Sequence, residues 1–180
     1  MPTGKKTPAR TLSNRRSLLC RLPDRPTLMV LLKTHSTLKQ PKHAGISQLS
    51  DSTGHPLNGR ILVVDDLNDA AASLALVCEL YGAVARVACD GQEALDLGAQ
   101  FLPDVVLMDI SMPHMDGYEA ARRLRGETWG KNVVLIALTG WGRQGDVEAA
   151  RAAGFDGHLL KPVSAEALVE LITELRRKQT

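Results

Sequence analysis

From Arg60 onward the sequence alternates short aliphatic runs with amphipathic segments, and that alternation leaves very few folds open. Ile61-Leu62-Val63-Val64, residues 83–88, 104–109, 132–138 and 157–160 read as five strands. Between and after them, residues 68–81, 92–100, 118–125, 145–153 and 165–177 read as five helices. Asn68 or Asp69 can cap the first helix, while Gly82 and Gly154 can close the first and fourth through a left-handed residue. Strands that are aliphatic throughout, separated by helices, imply a doubly wound α/β fold with a buried five-stranded parallel sheet. Only 3% of the chain is aromatic against 44% hydrophobic, so the expected core is Ala, Val, Leu and Ile.

The first 59 residues differ in kind. Six of the nine prolines lie there, with many Thr, Ser and Lys and no sustained period of 3.6 or 2. This composition predicts a disordered, basic N-terminal extension, followed by a folded domain over residues 60–177. Residues 1–60 hold 11 Lys/Arg against 2 Asp/Glu, and residues 61–180 hold 11 against 18. The net charge of +2 therefore conceals a basic leading segment on an acidic domain. The leading segment also has a transit-peptide-like composition, although a plain extension is the more economical reading. Its positive charge would permit only loose, salt-sensitive contact with nucleic acid, and it carries no helix-turn-helix pattern. No stretch approaches the roughly 18 apolar residues of a membrane span. Cys20, Cys78 and Cys89 show no CxxC pair, so neither a disulfide framework nor a zinc site is legible. Cys78 and Cys89 fall in packed segments, where Cys acts as a small hydrophobe, and a reducing cytoplasm is the natural setting.

In parallel α/β sheets, ligands sit beyond the carboxyl ends of the strands. The first strand ends in Asp65 and Asp66, the third in Asp109, the fourth in Thr139 and the fifth in Lys161. Any one of these could be an ordinary solvated loop residue; five of them closing aliphatic strands on one rim form a site. Three neighbouring carboxylates repel one another unless a cation sits among them, and oxygen ligands with water suit Mg²⁺. A carboxylate such as Asp109 can act as a nucleophile and form an acyl phosphate. Lys161 adds positive charge for phosphate oxygens, and Thr139 adds a hydroxyl donor.

Val63-Val64-Asp65-Asp66, the run from Val106 through Asp109 to Gly117, Ala137-Leu138-Thr139 and Lys161-Pro162 together resemble the response-regulator receiver domain. The likeness spans about 118 residues with its motifs in family order. It implies a flavodoxin-like sheet of order 2-1-3-4-5 and a role in two-component phosphorelay. Asp109 would accept phosphate, with Asp65, Asp66, Asp109 and the backbone carbonyl of Ser111 around Mg²⁺. Thr139 would be the switch hydroxyl, Lys161 the phosphate's partner, and the Lys161-Pro162 bond cis. The donor would be a sensor histidine kinase or a histidine phosphotransfer protein. The downstream partner would be a protein that meets the surface of the fourth helix, fifth strand and fifth helix. His158 stands where the family usually has a Tyr or Phe switch, and with its flanking residues it is similar to receivers of hybrid histidine kinases. Trp141 and Ser111 flank the site and could tune water access, while His114 reads as a solvated loop residue and Gly117 as a turn. An Asp-nucleophile phosphatase would need a second acid where Ser111 stands. A flavodoxin-like cofactor carrier would need a neutral loop where Asp65-Asp66 lies. The expectation is a phosphoacceptor domain and not an enzyme.

Overall fold

The computed structural model describes residues 55–140 and 144–179. Five strands, β1 (Gly59–Val64), β2 (Ala83–Ala88), β3 (Val105–Asp109), β4 (Val134–Thr139) and β5 (Gly157–Leu160), form one parallel sheet in the order β2-β1-β3-β4-β5. Five helices alternate with them: α1 (Asn68–Leu80), α2 (Gly91–Phe101), α3 (Gly117–Gly126), α4 (Gln144–Ala153) and α5 (Ala165–Gln179). The expected fold class and strand order are both present. Of residues 1–59, expected to be disordered, 1–54 lie outside the described residues, while 55–59 are described and β1 begins at Gly59.

Period-two alternation along the strands sorts the core into two layers. Ile61, Val63, Val105, Leu107, Ile136 and Leu138 face α1 and α5, meeting Ala71, Ala75, Cys78, Leu168, Ile172 and Leu175. Leu62, Val64, Val106, Met108, Leu135 and Ala137 face the other way, onto Ala94, Ala120, Ala121, Leu124, Ala150 and Phe155. Small helix residues let the helices sit close to the sheet, as the Ala-rich composition implies. Cys78 is fully buried, as expected of a small hydrophobe, whereas Cys89 is half-buried with its Sγ 2.8 Å from Asn68 Oδ1.

Several local details differ from the sequence expectations. Packing starts before β1: Leu57 is fully buried and its N–H donates to Tyr81 O at 3.1 Å. Neither Asn68 nor Asp69 caps α1. Leu67 occupies the cap position without a side-chain capping hydrogen bond, and its own N–H donates to Asp65 Oδ1 at 2.9 Å. Gly82 and Gly154 do carry positive φ (97° and 101°), as the αL closures require. Gly117 is not a turn residue. It opens α3 in buried surroundings, where an added Cβ would collide with the backbone oxygen of Asp109 and lie 2.7 Å from Ile110 Cα. Close approach, not φ freedom, is what glycine supplies there.

Candidate phosphoacceptor and metal site

The parallel register fixes where each strand stops. Val64 pairs with Met108, Asp109 with Leu138, and Thr139 with Leu160. Asp65, Asp109, Thr139 and Lys161 therefore emerge along one edge. Ile110 N–H donates to Leu138 O at 3.2 Å and Lys161 N–H to Thr139 O at 2.8 Å, which extends the ladder past the strand ends.

Carboxylate oxygens of Asp65, Asp66 and Asp109 lie within 4.8 Å of one another. Asp65 and Asp109 are buried at 2% and 6% exposure, and Asp66 is more open. Lys161 Nζ bridges the two buried acids, 2.7 Å from Asp65 Oδ2 and 3.0 Å from Asp109 Oδ2. Burial alone would lower the Lys161 pKa, but its hydrogen bonds to Asp65 and Asp109 outweigh this and hold it above the ordinary lysine value. Asp109 Oδ1 accepts the Ser111 N–H at 3.2 Å, which fixes the plane of its carboxyl group. Asp116 caps α3 by accepting the Glu119 N–H at 2.7 Å. Together with Gly117 N–H donating to Ile110 O at 2.9 Å, this pins α3 under the Asp109 backbone.

The oxygen-only donor set suits a hard divalent cation, and one ammonium cannot balance three carboxylates. The site can therefore hold a divalent cation such as Mg²⁺ beside the buried Asp109 carboxylate. Of the other expected residues, Thr139 is buried at the same edge, 8% exposed. Ser111 is exposed beside it. His158 is exposed on β5, in a cleft with Val147, Ala150, Arg151 and Phe155. Trp141 lies outside the described residues. His114 is exposed with φ 70°. The Lys161-Pro162 bond is cis.

Sequence reading missed Arg125 and Asp156. Arg125 donates to Gly130 O and Val133 O at 2.8 Å, to Gly154 O at 2.9 Å and to Asp156 Oδ2 at 2.7 Å. Asp156 also accepts the Leu135 N–H at 2.7 Å. Nothing in the local sequence pairs two residues 31 positions apart; the only signal was a charged residue between two apolar strand-end segments.

The profile of the response regulator receiver domain matches residues 61–173. Response regulator MprA of Mycolicibacterium vanbaalenii is 38% identical over 121 residues, 67% of this chain and 52% of that protein. The chain thus spans about half the length of this relative. Among solved structures, the receiver domain of sensor histidine kinase PA1611 from Pseudomonas aeruginosa is similar at 31% identity and TM-score 0.59. The match covers 67% of this chain and 97% of that one, which has a magnesium ion coordinated in its active-site cleft. The receiver domain of Ssk1 from Saccharomyces cerevisiae, solved with the histidine phosphotransfer protein Ypd1, is similar at 28% identity and TM-score 0.61. That match covers 67% of this chain and 90% of the other.

Proposed function

The chain belongs to the response-regulator receiver family of two-component signalling, and from that premise we propose that Asp109 accepts a phosphoryl group from a phosphohistidine donor. The observation that carries this reading is Lys161 Nζ bridging the buried Asp65 and Asp109, with Asp66 close by. An Asp109 carboxylate oxygen attacks phosphorus; the new O–P bond forms as the N–P bond to the donor imidazole breaks, and the released nitrogen keeps the electron pair. Asp65, Asp66, Asp109 and the Ser111 carbonyl would hold Mg²⁺, which supplies charge neutralisation for the phosphoryl oxygens. Lys161 shifts from pairing two acids to pairing one acid and the phosphoryl group. Thr139, buried at the end of β4, donates its hydroxyl to a phosphoryl oxygen.

The domain acts as a stoichiometric acceptor and not as a turnover enzyme, because Ser111 stands where a phosphatase would place its general acid. The added charge biases the α4–β5–α5 surface, on which Val147 and Leu160 are exposed apolar residues and His158 lines a cleft. A protein partner reads that surface, and its binding shifts with the population of the phosphorylated state. The donor is a sensor histidine kinase or a histidine phosphotransfer protein. No described helix is long and apolar enough to cross a membrane.

Intact mass after incubation with acetyl phosphate tests the reading. The expected result is a Mg²⁺-dependent gain of one phosphoryl group that is absent in Asp109→Asn. Acid-labile phosphate retained by Asp109→Asn, or no gain even from phosphohistidine donors, would overturn it.

A further inference from the structure

Asp109 is held from in front and from behind. In front, Lys161 Nζ and the Ser111 N–H hold its carboxylate at 3.0 and 3.2 Å. Behind it lies α3, which the proposed phosphoryl chemistry leaves without a role. Gly117 opens that helix in buried surroundings. A Cβ added there would overlap the Asp109 carbonyl oxygen and lie 3.1 Å from the Asp109 carbonyl carbon. These are main-chain atoms, which cannot swing aside as the far end of a flexible side chain can. They also belong to the middle of the sheet, where β3 runs between β1 and β4 and Ile110 N–H donates to Leu138 O at 3.2 Å. A side chain at Gly117 would therefore displace either α3 or the Asp109–Ile110 peptide.

The first turn of α3 is itself fixed. Asp116 accepts the Glu119 N–H at 2.7 Å, and Ala120 N–H donates to Asp116 O at 3.0 Å. Gly117 N–H donates to Ile110 O at 2.9 Å and so closes the loop over residues 110–116. Inside that loop Met115 N–H donates to Pro113 O at 2.9 Å, and Met112 is buried in the core layer that α3 shares. Ser111 stands in this closed loop. Its N–H, which holds Asp109 Oδ1, and its carbonyl thus take their places from the strand on one side and from α3 on the other. Mg²⁺ demands near-ideal octahedral geometry, so small displacements of its oxygen ligands are costly.

We infer that the first turn of α3 is a backbone stop that aims the acceptor. Gly117 and Asp116 are positioning residues: they set the Asp109 carboxylate and the Ser111 carbonyl for metal binding and phosphoryl uptake. The inference rests on the proposed role of Asp109 and adds the element that orients it. A glycine kept only for packing would govern stability alone, whereas a stop governs metal affinity and uptake as well. Asp116 acts through its capping bond and not through its charge, and Asn caps a helix as well as Asp does.

The test uses the full chain. Mg²⁺ titrations are followed through the ¹H–¹⁵N resonances of Ile110 and Ser111, and phosphoryl uptake from acetyl phosphate is timed at saturating Mg²⁺. Gly117→Ala should weaken Mg²⁺ binding about tenfold or more, as loss of groups that orient metal ligands does, and slow uptake by a similar factor. Gly154→Ala is the control, because φ 101° opposes any side chain there and the residue lies ahead of β5, at the far edge of the sheet. It should lose stability yet keep Mg²⁺ affinity and uptake within about twofold of the wild type. Equal effects of the two substitutions, or wild-type Mg²⁺ affinity in Gly117→Ala, would overturn the inference. Should Gly117→Ala give no native spectrum, Asp116→Ala and Asp116→Asn decide. Both remove the same charge, so Asp116→Ala should bind Mg²⁺ severalfold more weakly than Asp116→Asn, and equal affinities would overturn the inference. A wild type that neither binds Mg²⁺ nor gains phosphate would strike the proposed function and this inference together. Normal wild-type chemistry with an indifferent Gly117→Ala would strike the inference alone.

Discussion

Cys78 is a sensitive reporter of how well the layer under α1 excludes water. Its side chain is fully buried between Ala71, Ala75 and the β1 face, and burial pushes its thiol pKa up to about 12 from the ordinary 9.0. The folded state thus holds a proton that the unfolded chain gives up earlier. Stability from this residue is complete below pH 9.0 and declines as pH rises toward about 12. In urea unfolding from pH 8 to 11, the wild type should lose stability along this limb, and Cys78→Ala should flatten it. The substitution itself should cost about 1–2 kcal/mol at neutral pH through the lost sulfur contacts. The thiol should also resist alkylation until the protein unfolds; rapid labelling of the native protein would contradict the burial argument. His114 shows the opposite kind of residue-scale constraint. It keeps φ 70° in the loop after Asp109 while exposed, a conformation set by the turn into α3 rather than by contacts of the imidazole.

At the scale of elements, Arg125 links three pieces of chain: the end of α3, the loop before β4 (Gly130 and Val133) and the loop before β5 (Gly154 and Asp156). Because Asp156 shares its carboxylate between Arg125 and the Leu135 N–H, the two residues form one unit. Arg125→Met should destabilise by about 2 kcal/mol, since three backbone carbonyls lose a donor in partly buried surroundings. Asp156→Asn should cost about 1–2 kcal/mol, and the double variant should cost less than the sum. Chemical denaturation of the four proteins measures the coupling; strict additivity would show that the two side chains act separately. The sequence disclosed the elements themselves because a parallel sheet covered on both faces requires aliphatic strands, which are hard to mistake. It disclosed the site for a related reason: polar residues that end such strands stand out. What it did not disclose depends on distances between elements. The Arg125–Asp156 pair spans 31 residues. Leu67, not Asn68 or Asp69, stands at the N-cap of α1. Gly117 is required by the nearness of Asp109, not by a turn.

For the molecule as a whole, sheet polarity separates two chemistries. The carboxyl ends of the strands gather three acids and Lys161, and the amino ends gather Arg60, Asp104 and Arg176. The acidic edge couples ligand binding to global stability, because Asp65 and Asp109 are buried and their mutual repulsion is opposed by one ammonium. A cation that binds the folded cluster, and not the unfolded chain, must raise the unfolding free energy by mass action. At Mg²⁺ tenfold above its dissociation constant the gain is about 1.4 kcal/mol, which corresponds to a Tm rise of roughly 4–6 °C for a domain of this size. Asp66→Asn should abolish most of the shift, because it removes one oxygen ligand and one charge. Lys161→Gln should act in the other direction: it lowers the metal-free Tm by leaving the acids unopposed, and it enlarges the Mg²⁺-dependent rise. Differential scanning calorimetry with MgCl₂, against NaCl at matched ionic strength, separates site binding from general screening. An equal rise in NaCl would show that the acids respond only to bulk ions. A Mg²⁺ response that survives in Asp66→Asn would place the cation elsewhere on the molecule.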